Sequence, residues 1–125
     1  MRYTLLLHYP EMTAADAGDE GWAEGMRAFD EYAKALETAG VLRSAEVLQP
    51  STATTTVRAG DDGLRVQDGP FADSKEQLGG TFVIDVPDLD AAIAWAGRAP
   101  SVAWGAIEVR PTATRFADGE WTPFA

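Results

Sequence analysis

Residues 81–96 read TFVIDVPDLDAAIAWA, and the change of period inside them decides the fold. Phe82, Ile84 and Val86 alternate with Thr81, Val83 and Asp85, the two-residue rhythm of a strand with one buried face. Pro87-Asp88 then breaks the rhythm, and Asp88 is placed to cap the free amides of a helix. Leu89, Ala92, Ile93 and Ala96 recur at helical spacing as its expected inner face, with Gly97 and Pro100 as stops. A strand from Gly105 to Arg110 follows, with Ile107 and Val109 opposite Ala106, Glu108 and Arg110.

The same rhythm occurs upstream. Tyr3, Leu5, Leu7 and Tyr9 alternate with Arg2, Thr4, Leu6 and His8 in a strand ended by Pro10. Residues 11–21 are polar and carry Gly18 and Gly21, so a loop is expected there. Trp22, Met26, Phe29, Ala33 and Leu36 then fall at spacings of 4, 3, 4 and 3 on the inner face of a helix reaching Gly40. Val41 to Leu48 reads as the next strand. Between the halves, Ala53–Ala59 and Leu64–Gln67 flank Gly60-Asp61-Asp62-Gly63, the pattern of a hairpin. Two βαβ halves of this length predict an α+β fold: a ferredoxin-like split βαβ sandwich with an inserted β-hairpin, both helices on one side of an antiparallel sheet. It spans residues 1–110. The tail 111–125 shows no periodicity, and its Trp121 and Phe124 imply that it docks.

If helices cover one sheet face, the other carries Thr4, Leu6, His8, Thr81, Val83, Asp85, Glu108 and Arg110. A half-apolar face of this kind calls for another surface. A homodimer is expected, with a cleft at its seam.

Composition excludes several functions. Twenty acids against ten bases give a net charge of −10, which repels phosphate backbones and anionic lipid, so neither nucleic acid nor membrane is an expected partner. The chain has no cysteine and one histidine, which removes thiolate chemistry, disulfides and multi-imidazole metal sites. No cofactor is expected: Gly79-Gly80 lacks a phosphate-loop pattern. The apolar run near the N-terminus is too short for a membrane span, and the cytoplasm is the default compartment. Eight arginines to two lysines suggest a bacterial source.

The candidate site lies in residues 66–80, VQDGPFADSKEQLGG. Asp68-Gly69-Pro70 forces a sharp bend, which Asp68 is able to hold through nearby amides. Phe71 is an apolar anchor, and Asp73 to Gln77 read as a capped helical turn. Lys75 has no evident structural task. His8, near neutral in its ordinary titration range, is the natural proton carrier if Asp68, Asp85 or Glu108 orients it; otherwise it is a strand histidine bonded to a neighbour. Arg58 and Arg110 suit a carboxylate ligand, and Glu108 and Arg110 equally suit pairing across a dimer. An oxygen-ligand metal site from Asp68, Asp73 and Glu76 is conceivable, but capping accounts for the same acids. The chemistry expected is acid–base, with His8 or Asp68 moving a proton and Phe71, Lys75, Glu76 or an arginine contacting a small organic ligand.

The DGPF tetrapeptide, preceded by ATTTVR and followed by ADSKEQLGGTFVIDV, DLDAAIAWA, RAPS and GAIEVRP, resembles the DGPF branch of the YCII-related family. The resemblance runs from MRYTLLLHY to VRP. It implies a ferredoxin-like fold and a dimeric α+β barrel. Related proteins carry a His–Asp pair proposed as catalytic, with the histidine on the first helix; no histidine stands between Trp22 and Gly40, so that pair does not transfer to this chain. Asp68, Lys75 and Glu76 do match the DGPF motif. The branch is associated with extracytoplasmic-function sigma factors, which implies a regulatory protein partner as the alternative to a ligand site.

Overall fold

The alternation of Tyr3, Leu5 and Leu7 with Thr4, Leu6 and His8 builds β1 (Arg2–Tyr9), and the first set is buried in the core. A computed structural model describes residues 1–124; Ala125, the last residue of the tail, lies outside the described residues. β1 pairs antiparallel with β5 (Gln77–Asp85) on one side and β6 (Ala106–Pro111) on the other, and β2 (Leu42–Val47) joins β5. The order β2-β5-β1-β6, with α1 (Ala14–Thr38) and α2 (Leu89–Ala96) between the strands, is the ferredoxin-like α+β arrangement.

Leu5, Leu7, Leu36 and Ile84 are fully enclosed, and burial of each such side chain stabilises by about 1.5–3 kcal/mol. Tyr3, Phe82, Val86, Ala92, Ala96 and Ala99 complete the core with Tyr32, whose ring meets Phe82 edge-on at 5.2 Å. Tyr32 Oη donates to the Trp95 carbonyl at 2.8 Å, so its hydroxyl is satisfied where the ring is buried.

Five expectations need correction. The segment expected as a loop at 11–21 is largely helix: Thr13 and Asp16 form a reciprocal capping box that starts α1 at Ala14, and the helix kinks at Gly18, φ 75°. Trp22 and Met26, expected in the core, are 44% and 62% exposed; the residues that α1 buries are Tyr32 and Leu36, in its C-terminal half. On α2, Leu89 and Ile93 are exposed and Ala92 and Ala96 are buried, with Trp95 packed at the edge. The small alanines let the helix sit close to the sheet. The helical turn expected at 73–77 is irregular chain, since β5 already begins at Gln77, and the Gln77 side chain donates to the carbonyls of Ala72 and Ser74 at 3.2 and 3.0 Å. Finally, the tail contains a hairpin, β7 (Thr114–Ala117) and β8 (Glu120–Pro123), with Phe116 edge-on to Trp121 at 5.3 Å.

The inserted hairpin is β3 (Thr55–Gly60) and β4 (Gly63–Asp68), turned at Asp61-Asp62. It forms a separate two-stranded sheet in which no residue is buried. No helix among the described residues is long and apolar enough to cross a membrane.

Candidate functional site

The inserted hairpin leaves the upper end of β2 and returns to β5, and this detour encloses one side of a cleft of about 800 Å³. Leu48 to Ser51 form one wall and Thr54 to Val57 another. Pro70, Phe71, Ala72, Ser74, Glu76, Gln77 and Leu78 supply the rest, and His8 reaches in from the sheet. The lining is mainly apolar, with threonine and serine hydroxyls as its recurrent polar groups.

The bend at Asp68-Gly69-Pro70 is held by the threonine run. Gly69 N–H donates to the Thr54 carbonyl at 2.8 Å, and Thr56 Oγ1 donates to the Gly69 carbonyl at 2.7 Å. Gly69 has φ 99°, a conformation that side-chain-bearing residues adopt only with strain. The bend aims Phe71 at the cleft, and the Arg58 guanidinium lies over its ring at 4.4 Å. The Asp68 carboxylate makes no hydrogen bond among the described residues; Thr56, rather than Asp68, latches the turn.

His8 is half-buried on the open face of the sheet. Its Nε2 lies 2.6 Å from Glu108 Oε1. The register pairs His8 with Ala106 and Leu6 with Glu108, so the two side chains are diagonal neighbours on one face. A carboxylate only accepts, which makes Nε2 the protonated nitrogen and leaves Nδ1 as the basic one in the neutral ring.

The cleft is braced from the end of β1. Ser51 N–H donates to Glu11 Oε2 at 2.6 Å, and the Ser51 hydroxyl donates to Glu11 Oε1. Tyr9 stands between this clamp and Trp104, whose ring it meets at 5.2 Å. Burial, with the Glu11 charge adding to it, raises the Tyr9 pKa above the usual phenol value. The Tyr9 ring also lies against Gly79, where a Cβ would collide with it, so the glycine lets the ring close this end of β5.

Of the residues singled out in the sequence, His8, Phe71 and Glu76 line the cleft. Glu108 reaches it through His8, and Arg58 flanks it through Phe71. Asp68 and Lys75 are exposed and outside the lining, so His8, Asp68 and Lys75 do not converge within one chain. Arg110 is exposed on β6 opposite Thr4, at the far end of the open face. Sequence reading missed Glu11, Ser51 and Thr56; only the TATTTV run before the bend hinted at the last. Among the described residues, no group of three His, Asp or Glu side chains is arranged to hold a metal.

An uncharacterised protein of Rhizobium meliloti (strain 1021) is 35% identical over 117 residues, covering 90% of this chain and 93% of the relative. The YCII-related domain matches residues 1–116, from the first strand through the first strand of the C-terminal hairpin. A match of that extent, on a sheet of ferredoxin-like order, places the chain in the YCII-related family.

Proposed function

We propose that this protein, of the DGPF branch, works as a homodimer that binds a small organic molecule in the cleft beside the Asp68-Gly69-Pro70 bend and carries out acid–base chemistry on it at His8. The observation that carries this reading is the 2.6 Å contact between His8 and Glu108 at a cleft large enough for such a ligand. With Nε2–H donated to Glu108, the free Nδ1 accepts a proton from the ligand, and the carboxylate stabilises the imidazolium that forms. The apolar lining favours a ligand with a hydrocarbon body. Threonine hydroxyls orient its polar groups, and Arg58, stacked on the lining residue Phe71, is a cation for an acidic substituent. The half-buried Leu6 and Val83 on the uncovered sheet face support the dimer.

The test is ligand-observed and protein-observed NMR with a panel of monocarboxylic acids and their amides. Binding should perturb His8, Thr56 and Phe71 together, and His8→Gln should abolish the pH dependence of affinity. A panel that moves none of these resonances overturns the reading. A second reading is favoured by the exposure of Asp68 and Lys75: a regulatory protein that acts by contact, with the motif displayed to a partner. Retention of a protein partner by the wild type and its loss in Asp68→Ala/Lys75→Ala would support that alternative.

A further inference from the structure

Two hairpins of this chain lack a surface to lie on. In β3–β4, Val57, Leu64 and Val66 are exposed, Val66 at 63%, and Val57 pairs directly with Val66. In β7–β8, Phe116 and Trp121 are exposed, Trp121 at 67%. An isolated two-stranded hairpin is marginal in water, so each needs packing that the described residues of its own chain do not supply. The strand alternation places Val57, Leu64 and Val66 on one face of β3–β4, and Phe116 and Trp121 on one face of β7–β8. Arg58 and Arg65 pair on the other face of β3–β4, where Arg58 lies over Phe71, so the valine–leucine face is the one turned away from the bend.

The topology says where these arms sit. β2 is one edge of the sheet and β6 the other. The β3–β4 arm leaves β2 after Val47, level with Gly80 and Leu7, at the His8 end. The β7–β8 arm leaves β6 after Pro111, level with Tyr3, where Thr112 N–H donates to the Arg2 carbonyl. The arms therefore leave the sheet at diagonally opposite corners, the first lining the cleft with His8 of the open face. A two-fold axis in the plane of that face and perpendicular to the diagonal carries each corner onto the other, with the strands of the two sheets crossing steeply.

We infer that in the homodimer the β7–β8 hairpin of one copy lies on the β3–β4 hairpin of the other, so that Phe116 and Trp121 pack against Val57, Leu64 and Val66 and close the cleft around His8. The site is complete only with both copies. This inference rests on the homodimer proposed above.

The absence of native cysteine makes the test clean. Chains carrying Val66→Cys and Trp121→Cys are mixed under mild oxidation, and light-scattering chromatography gives the mass of the wild type. The inference expects a dimer, a disulfide-linked Val66→Cys/Trp121→Cys pair, and no link between Val66→Cys and Asp90→Cys on the helix side. Trp121→Ala should raise the dimer dissociation constant at least about tenfold with its circular dichroism unchanged. A wild-type dimer without the Val66–Trp121 link overturns the arm exchange and leaves the dimer standing. A monomer at micromolar concentration overturns both, whatever the NMR panel shows for ligand binding.

Discussion

His8 and Glu108 are separated by 100 residues of chain, yet Nε2 and Oε1 lie 2.6 Å apart because β1 and β6 are neighbours and the two residues share a face diagonally. The carboxylate selects the Nε2–H tautomer. In Glu108→Gln that selection is lost, because an amide offers both a donor and an acceptor. Long-range proton–nitrogen correlation spectra should show a protonated Nε2 in the wild type and a mixture of tautomers in the variant. Stability should change by less than about 1 kcal/mol, since the pair is partly exposed. Identical ring spectra in the two proteins would remove Glu108 as the orienting group.

Tyr32 gives a pH signature. Burial pushes its pKa up to about 12 in the folded protein, against 10.0 for an ordinary tyrosine. The unfolded chain therefore loses that proton first. The stability contributed is complete below pH 10 and declines as pH rises through about 12. Tyr32→Phe should lose about 1 kcal/mol at neutral pH, from the missing bond to the Trp95 carbonyl, and should show a shallower alkaline decline. Urea unfolding across alkaline pH separates the two effects, and parallel curves would contradict this assignment.

Gly69→Ala should cost on the order of 1–2 kcal/mol, because a Cβ is strained at φ 99°. The damage should be local. Amide shifts of Thr54, Thr56 and Phe71 should move, and those of Leu5 and Leu36 should stay. A thermal midpoint equal to that of the wild type would show that the bend is not held in its left-handed form.

Leu36→Ala tests which end of α1 anchors it. Leu36 is fully buried and Met26 is exposed, so Leu36→Ala should destabilise by about 2–5 kcal/mol and Met26→Ala by less than about 0.5 kcal/mol. Equal losses in denaturant titrations would mean that the N-terminal half of the helix is also packed.

The period of the apolar residues was legible wherever a segment buries one side against the sheet. Tyr3/Leu5/Leu7 and Phe82/Ile84/Val86 specify their strands and their faces, and Asp88, whose carboxylate accepts from Ala91 N–H at 2.9 Å, specifies the start of α2. Trp22 and Met26 fit the helical period as well as Leu36 does, because periodicity reports which side of a helix is apolar and not which of its turns are buried. The last hairpin had a local signal in Asp118-Gly119, both at positive φ as a type I′ turn needs, between Phe116 and Trp121.

The candidate site divides in the same way. The DGPF bend, its glycine and the threonines before it are local chemistry, so the sequence by itself determined that the chain turns there and presents Phe71. Which side chains meet is a different matter. The pairing of His8 with Glu108, the clamp of Glu11 on Ser51 and the absence of Asp68 and Lys75 from the cleft were decided only by tertiary structure. Strand order and register set those distances, and they arise from the burial of the whole sheet rather than from any stretch of the chain.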